Sequence, residues 1–224
     1  MPVYALDGRI RFPDPRDSEE DGLLAAGGDL SVPRLLEAYA RGIFPWYSEG
    51  QPLLWWSPPE RAVFLRGDGR LPRSTRRILA RVPFEVRVDT SFEAVVAGCA
   101  EVPRAGQGGT WITREMRRAY GALHRAGFAH CFEAWRDGKL RGGLYGVSLG
   151  GAFFGESMFS LEPGASRAAF RELCGRCWEW GFDFIDGQAP NANLHTLGAR
   201  ILDRETSLEL LARALEKPTR RGAW

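Results

Sequence analysis

Two short motifs in the second half of the chain place carboxylate and amide side chains near the ends of predicted strands. Glu156 stands in a Gly-Glu-Ser-Met-Phe-Ser motif at 155–160, and a carboxylate among apolar neighbours is costly to bury without a partner. It could bind a positive ligand group, order a polar network, or simply be a surface glutamate. Asp186 and Gln188 alternate along another predicted strand and are expected on one face. Such a pair could orient an attacking amine and accept its proton, or it could only cap a loop.

The N-terminal third of the chain is rich in aromatic rings that prolines and glycines separate. Two clusters, 42–48 and 54–58, include Trp46, Trp55 and Trp56. Exposed aromatic faces stack on nucleobases, so one interpretation is a surface that binds nucleic acid. The other interpretation is a small core braced by prolines.

A basic helix is predicted after the aromatic clusters. Arg73, Arg76, Arg77 and Arg81 recur at spacings that put most of them on one side of a helix. They could bind a phosphate backbone, which gives a salt-sensitive affinity, or they could form a solvated face. The net charge of the whole chain is only +2, so a nucleic-acid site would have to be a local patch.

Several other kinds of site have little support in the sequence. His124, His130 and His195 are scattered and suggest no Ser-His-Asp or Cys-His arrangement. No Walker loop is present, and the acetyl-CoA signature of GNAT acetyltransferases is absent. Cys174 and Cys177 form one Cys-x-x-Cys without a second pair, whereas a zinc site needs about four ligands. We therefore expect buried free thiols and no bound metal.

The composition is that of a globular protein. The chain has 224 residues, of which 44% are hydrophobic and 26% are charged. No apolar run reaches the ~18 residues of a membrane span, and the first residues do not have the pattern of a signal peptide. We expect a cytoplasmic protein with no membrane segment, and a monomer because no surplus apolar stripe is evident.

The alternation of helical and extended patterns predicts an α+β fold. A glycine-containing stretch at 67–69 predicts a boundary between a small N-terminal α+β module, 1–65, and a larger domain, 66–224. The tail from Lys217 is expected to be frayed. Predicted strands cover 61–65, 84–88, 130–135, 140–148, 152–156 and 182–186, and predicted helices begin at Ser31, Ser74, Thr90, Thr113, Ser166 and Thr206.

Separated motifs occur in order along most of the chain. They are Gly-Leu-Leu at 22–24, Gly-Gly-Asp-Leu at 27–30, Tyr39 with Arg-Gly-Ile-Phe-Pro-Trp at 41–46, Trp-Trp-Ser-Pro at 55–58, Gly-Thr-Trp-Ile-Thr at 109–113, the motif of Glu156, and Asp-Gly-Gln at 186–188. Together they resemble the motifs of the leucyl/phenylalanyl-tRNA–protein transferases. The resemblance implies a small N-terminal module and a GNAT-like catalytic domain, with a mixed, largely antiparallel sheet flanked by helices, that needs neither acetyl-CoA nor a metal.

The activity that this resemblance implies is the transfer of Leu or Phe, and Met less well, from aminoacyl-tRNA to proteins. The acceptors would begin with Arg or Lys, and the products would be marked for N-end-rule degradation. A CoA-dependent N-acetyltransferase is an alternative that the missing pyrophosphate loop disfavours. A non-catalytic protein that binds the end of tRNA is another.

The resemblance also implies roles for individual residues. Trp46 and Trp111 would hold the 3′-terminal adenosine. Asp186 would polarise Gln188, whose carbonyl oxygen would accept a proton as the amine attacks, and Glu156 would either order this site or receive the cationic N-terminal residue. The four arginines at 73–81 would meet the acceptor stem. The pocket for the Leu or Phe side chain would be lined by Leu144, Met158, Phe170, Leu173 and Ile185.

Four positions depart from the usual pattern of this family. Asn193 stands where the family usually has His, and His195 lies two positions further along. Gly187 replaces a common Cys and is expected to loosen the strand end. Leu144 stands where some relatives have Met, which is a tolerable change of volume.

Overall fold

Strands are short near the N-terminus and long in the middle of the chain. The computed structural model describes residues 3–69, 71–81, 83–101 and 111–224, so Val82, Gly109 and Thr110 of the predicted elements and motifs lie outside it. The strands are β1 (Tyr4–Leu6), β2 (Leu23–Gly27), β3 (Phe44–Pro45), β4 (Leu54–Trp56), β5 (Glu60–Leu65), β6 (Glu85–Val88), β7 (Ala129–Arg136), β8 (Lys139–Leu149), β9 (Ala152–Ser160), β10 (Phe184–Asp186) and β11 (Arg200–Asp203). The helices are α1 (Val32–Ala40), α2 (Arg73–Arg81), α3 (Phe92–Glu101), α4 (Arg114–Arg125), α5 (Ala165–Glu179), α6 (Ala192–Leu197) and α7 (Arg204–Leu215), with a 3-10 turn at Pro15–Asp17.

The strands form two sheets. A four-stranded sheet has the order β1-β2-β4-β3, and a seven-stranded sheet has the order β11-β5-β10-β9-β8-β7-β6. In the larger sheet only β10 and β9 pair in parallel; all its other neighbours are antiparallel. The mixed α+β fold and the antiparallel meander of β7, β8 and β9 are confirmed.

The larger sheet is buried on both faces because helices cover each side. Strand residues alternate between two apolar clusters: Phe154 and Phe184 belong to the first cluster, and Phe153 and Ile185 to the second. Helices α1, α3, α4 and α7 and the smaller sheet pack on the first cluster, and α5 covers the second. This layered arrangement leaves β10 in the middle of the sheet, where its end can carry a site.

The strand β5 falls within the expected N-terminal module 1–65, yet it lies between β11 and β10 in the larger sheet. Its residues Val63 and Phe64 are buried in the first and the second cluster respectively. A strand that buries both faces needs neighbours on both edges and cover on both sides. The division of the chain into two modules stays a prediction, but this strand belongs with the larger sheet.

Three of the predicted helix starts are wrong in detail. The cap of α5 is Gly164, with a φ of 93°, rather than Ser166. Asp203 caps α7 by accepting a hydrogen bond from the backbone N–H of Thr206, which was expected to be the cap itself. The hydroxyl of Thr90 donates to Glu133, so it does not form a capping box at α3. An acidic or left-handed residue one to three positions upstream provided the cap in the first two cases.

The tail that was expected to fray is docked on the protein. The indole of Trp224 stacks on His130, with ring centroids 4.0 Å apart, and meets Phe132, Phe153 and Trp180 at 4.9 to 6.2 Å. Its backbone N–H donates to an oxygen of Asp89 at 3.2 Å. The favourable free energy of burying this indole among aromatic rings exceeds the conformational entropy that the tail loses when it docks.

Candidate active site

A cavity of about 510 Å³ opens between the middle of β8 and β9, the end of β10 and the helix α5. The structure brings the five residues expected to form the aminoacyl pocket together in its lining. Strand alternation points three of them to the α5 side of the sheet, and two successive turns of α5 supply the others. These residues are Leu144, Met158, Phe170, Leu173 and Ile185.

The lining also contains residues that were not predicted to belong to it. Phe64 and Leu194 add apolar surface, and Asn191 and Asn193 add amides at the entrance. Glu156 and Asp186 line the same cavity, so carboxylates stand beside an apolar wall. A pocket of this size with a few convergent polar groups is the usual form of a small-ligand site.

Glu156 lies inside β9 rather than at its end. At this residue a β-bulge interrupts the pairing of β9 with β8. Tyr145 pairs with Ser157 and Gly146 pairs with Gly155, which leaves Glu156 as the extra residue. A bulge re-aims the side chain of its unpaired residue. Here it directs the carboxylate toward the helices of the first cluster.

The Glu156 carboxylate accepts three hydrogen bonds from side chains on different elements. Oε1 accepts from the hydroxyl of Tyr39 at 2.7 Å and from Nε2 of Gln188 at 2.6 Å. Oε2 accepts from the hydroxyl of Tyr120 at 2.8 Å. The two hydroxyl oxygens are themselves 2.5 Å apart. This network links α1, α4 and β9 to the segment after β10.

Burial of this network changes how its groups ionise. Desolvation, with a smaller contribution from the charge of Asp186, raises the pKa of Glu156 to about 7, although the hydrogen bonds from Tyr39, Tyr120 and Gln188 oppose the rise. Desolvation and the nearby Glu156 charge raise the pKa of both phenols well above its ordinary value. The phenols therefore remain protonated donors at neutral pH, whereas Glu156 can exchange a proton there.

Asp186 is held in place by a buried arginine. Nη2 of Arg61 forms an ion pair with Oδ2 of Asp186, and both side chains are about 95% buried. Nη1 of Arg61 donates to the carbonyl of Gly42 at 3.1 Å, and its guanidinium lies 5.1 Å from the centre of the Phe44 ring. The buried charge of Asp186 is thus compensated by a cation that is itself fixed.

Gln188 has a left-handed backbone, with a φ of 65°, which is uncommon for a residue with a Cβ atom and occurs often at functional sites. Its N–H donates to Oδ1 of Asp186 at 2.7 Å, and its carbonyl accepts from the N–H of Ala62 at 2.8 Å. These bonds fix the conformation. Asp186 therefore contacts the backbone of Gln188, whereas the expected polarising contact to the side-chain amide is made by Glu156.

One part of the two aromatic clusters forms core, and another part forms an exposed aromatic surface. Trp55 is fully buried, and Phe44 and Tyr47 are nearly so, which makes these rings core. Trp46 is 44% exposed and meets Trp56 edge-on, with centroids 5.4 Å apart. Its carbonyl accepts from the indole N–H of Trp56 at 2.7 Å, which holds the strand pair in place. Only this part of the clusters presents a fixed indole face.

Trp111, the second residue expected to hold the adenosine, is partly buried and packs against the first cluster. It lies just before α4, whose cap Thr113 accepts from the N–H of Met116 as predicted. The hydroxyl of Tyr47 approaches Thr113 Oγ1 at 3.3 Å and donates to Glu115 at 3.1 Å. The segment that carries Trp46 is therefore fastened directly to the start of α4.

Comparison with known proteins places the chain among relatives of one kind. The profile described as leucyl/phenylalanyl-tRNA protein transferase matches residues 63–212, and the profile of the N-terminal domain of that family matches residues 28–59. A leucyl/phenylalanyl-tRNA–protein transferase of Myxococcus xanthus (strain DK1622) is 53% identical, over 100% of this chain and 97% of the relative. A protein of the same name from Desulfatibacillum aliphaticivorans is 52% identical, over 100% and 96%. The chain belongs to the leucyl/phenylalanyl-tRNA–protein transferase family.

Membership makes the protein an aminoacyltransferase that moves an aminoacyl group from tRNA to protein. Solved structures add little to this assignment. A conserved protein of unknown function from Bacteroides thetaiotaomicron VPI-5482 matches with a TM-score of 0.43 and 14% identity, over 68% of this chain and 55% of that one. A score this low supports no argument about a GNAT-like fold.

The helix α2 of the transferase carries Arg73, Arg76, Arg77 and Arg81 on its surface. All four are exposed, while Thr75 and Leu79 on the same helix are buried. Within the described residues none of these arginines has a carboxylate at salt-bridge distance. The arrangement suits a polyanion, and a solvated face would look the same.

Of the positions expected to depart from the usual pattern of the family, Leu144, Gly187 and Asn193 line the cavity. The amide of Asn193 lies 3.4 Å from the sulfur of Met158 and lines the cavity, whereas His195 is exposed and does not. A Cβ atom at Gly187 would lie 2.9 Å from the side chain of Leu194. Leu194 thus fills the space beside Gly187, and the N–H of this glycine donates to Ala62 at 2.7 Å, so the strand end is not loose.

Three residues of the site were missed at the sequence level. In the sequence Tyr39 is only a member of a family motif, Tyr120 lies in a predicted helix without a role in the site, and Arg61 stands only at the start of a predicted strand. A buried phenol needs a polar partner, which was the one available signal.

The four cysteines are buried free thiols, and the described residues contain no cluster of His, Cys, Asp or Glu that could hold a metal ion. In the same ranges no helix has the length and hydropathy needed to cross a membrane.

Proposed function

We propose that the protein transfers Leu or Phe, and Met less well, from aminoacyl-tRNA to the N-terminal α-amine of proteins that begin with Arg or Lys. The observation that carries this proposal is the juxtaposition of an apolar cavity with the network of Glu156, Gln188 and Asp186. An apolar pocket of this kind accepts side chains without a branch at Cβ, such as those of Leu, Phe and Met, and rejects β-branched side chains by shape and polar ones by desolvation. The product would be a protein marked for N-end-rule degradation.

In the proposed reaction the α-amine attacks the carbonyl carbon of the aminoacyl ester. The bond between that carbon and the 3′ oxygen of the terminal adenosine breaks, an amide forms, and the proton lost by the amine ends on the 3′ oxygen. The side-chain carbonyl of Gln188 would accept a hydrogen bond from the amine during the attack. Because an ester is already activated, positioning supplies most of the rate.

The contacts support a distinct part for each polar residue. Both oxygens of Glu156 are already occupied by hydrogen-bond donors, so we assign Glu156 to holding the amide of Gln188 rather than to binding the cationic N-terminal residue. Asp186 would fix the backbone of Gln188 in its left-handed conformation. Trp46 and Trp111 would hold the 3′-terminal adenosine by stacking, which is worth about 1–3 kcal/mol per base.

The remaining parts of the proposal concern the whole molecule. Arg73, Arg76, Arg77 and Arg81 would contact the phosphates of the acceptor stem. We further propose a small N-terminal module joined to a GNAT-like catalytic domain, and a monomer that acts in the cytoplasm without a metal or acetyl-CoA.

A reconstituted transfer assay tests the proposal. Purified protein is mixed with tRNA charged with Leu, Phe or Met and with peptides that begin with Arg, Lys or N-acetylated Arg, and mass spectrometry detects the product. We expect transfer of Leu and Phe to the Arg and Lys peptides, weaker transfer of Met, and none to an N-acetylated Arg peptide. Absence of any product from Leu-tRNA and the Arg peptide would refute the assignment.

The role of Asp186 is tested with two substitutions in the same assay. Asp186→Ala should lower kcat at least tenfold and leave the Kd for charged tRNA within a factor of about two, because the residue acts through the backbone of Gln188. Asp186→Asn keeps the shape but loses the ion pair with Arg61, and we expect an intermediate loss. An equal loss of tRNA binding and turnover would contradict this role.

A further inference from the structure

A second basic surface lies between α3 and α4, away from the cavity and from α2. Here the side chains enclose a groove of about 300 Å³. Phe92 and Val96, four residues apart on α3, provide apolar floor. The groove is lined by Phe92, Glu93, Val96, Arg114, Arg117, Arg118, Gly121 and Arg125.

Four arginines therefore face a single glutamate, Glu93, in this lining. Arg117 is committed to the groove wall, because its Nη2 donates to the carbonyl of Ala97 at 3.5 Å and lies 3.4 Å from Glu101. Within the described ranges, the other three arginines have no carboxylate within salt-bridge distance. These three are Arg114, Arg118 and Arg125, and all are exposed.

The spacing of these three arginines makes a stripe along α4. Positions 114, 118 and 125 fall on one side of a helix, and they span about 16 Å along its axis at 1.5 Å per residue. The stripe continues through position 121, which is a glycine in the middle of the helix. Glycine there costs about 1 kcal/mol relative to alanine, and its missing side chain keeps the groove open between Arg118 and Arg125.

The near end of the stripe adjoins the surface expected to hold the adenosine. Arg114 follows Trp111 by three residues, so their Cα atoms are at most about 11 Å apart. Arg114 also lines a neighbouring depression with Tyr47, the residue next to Trp46. The near end of the arginine stripe is therefore close to these indoles, across a depression that Glu49 and Glu115 also line.

We propose that the groove between α3 and α4 binds phosphodiester groups of the single-stranded 3′ end of the tRNA, upstream of the terminal adenosine. Arginine forks match phosphate oxygens and also stack on bases, and an apolar floor beneath a basic rim suits nucleotides. The inference rests on the proposed function. Because α2 packs with the second cluster, on the opposite face of the sheet, the two arginine sets would contact different stretches of the RNA.

The test compares two aminoacyl donors, charged tRNA and 3′-O-leucyl-adenosine, which carries no phosphate. For Arg118→Gln/Arg125→Gln we expect the KM for charged tRNA to rise about tenfold, with kcat within a factor of two. Transfer from leucyl-adenosine should not change. The slope of log(1/KM) against log salt concentration should become shallower by about 0.7 for each phosphate that the variant no longer neutralises. Arg213→Gln, on α7, removes one exposed charge elsewhere and should leave all these values unchanged.

A second variant keeps the charges and fills the groove. Gly121→Leu raises the helix propensity of α4, and a Cβ atom at this position would meet only Arg125 Nη1, at 3.4 Å. It should raise the KM for charged tRNA at least fivefold and spare leucyl-adenosine.

Several results would overturn the inference. One is an unchanged KM for charged tRNA in both variants, and another is an equal loss with both donors. A rise in the KM for the acceptor peptide would show that the groove binds the protein substrate instead. Failure of the wild-type protein to use either donor would refute the proposed function, and so would be distinguishable from failure of this groove.

Discussion

Replacement of Glu156 by Gln tests whether the network at the site is as buried as its contacts indicate. Glu156 is surrounded by donors from Tyr39, Tyr120 and Gln188, and burial raises its pKa from the ordinary 4.5 to about 7. Between these two values the folded protein binds a proton that the unfolded chain does not. This proton favours folding at low pH, and the contribution is lost as the pH rises through 7.

The size of the effect follows from the two pKa values. Integrating the difference in bound protons between pH 5 and pH 8 gives a loss of about 2–3 kcal/mol for the wild type. Glu156→Gln has no titrating group at this position, so the loss should vanish. The wild type should therefore lose about 2–3 kcal/mol of stability relative to the variant over this range, whatever the absolute stability of each protein.

Urea unfolding at half-unit steps from pH 5 to pH 8 measures the difference, because other titrating groups contribute equally to both proteins. Glu209→Gln, at an exposed position on α7, serves as a matched control and should follow the wild type. Parallel curves for the wild type and Glu156→Gln would refute the reasoning, since they would mean that Glu156 is solvated and ionises normally. Stability is a cleaner measure than turnover here, because the α-amine of the acceptor also titrates near pH 8.

Three further perturbations address other parts of the molecule. Arg61→Met should destabilise the protein by about 3–5 kcal/mol in urea unfolding, since it leaves the buried Asp186 charge without its partner, and adding Asp186→Asn should restore part of the loss; no recovery would contradict this explanation. Trp46→Ala should raise the KM about 10- to 100-fold for both charged tRNA and leucyl-adenosine, whereas Trp46→Phe should raise it less; an effect on only one donor would exclude adenosine stacking. Trp224→Ala should lower stability by about 2–3 kcal/mol, measured by urea unfolding, with kcat at 20 °C within twofold; an unchanged midpoint would mean that the tail is not docked in solution.

Elements with a strong period could be predicted from the sequence. The extended pattern along 130–156 predicted β7, β8 and most of β9. The start of α4 at its cap Thr113 was also predicted. By contrast, α6, β11 and the strands of the smaller sheet are short, and propensity carries little information over two to six residues. Their formation depends on tertiary partners that a local pattern does not contain.

For the candidate site, the residues could be predicted but the hydrogen bonds and ion pairs between them could not. The residues that line the cavity were identified through the resemblance to a family. Nothing in the local sequence indicated that Tyr39 and Tyr120, which lie 81 positions apart, would meet at one carboxylate. The role of Arg61 could not be predicted either, because its partner Asp186 is 125 positions away in the sequence. Such pairings depend on sheet order, and β5 and β10 are neighbours only because the chain returns to place β10 between β5 and β9.

The bulge at Glu156 explains why a single strand can serve two sides of the site. Before the bulge, Phe153 faces the second cluster and Phe154 the first; after it, Met158 packs on the second and Phe159 belongs to the first. The phase of the alternation is thus shifted by one residue. Without this shift Met158 would point away from the aminoacyl cavity. The extra residue is itself the carboxylate that holds Gln188, so one insertion both completes the apolar pocket and places the polar group beside it.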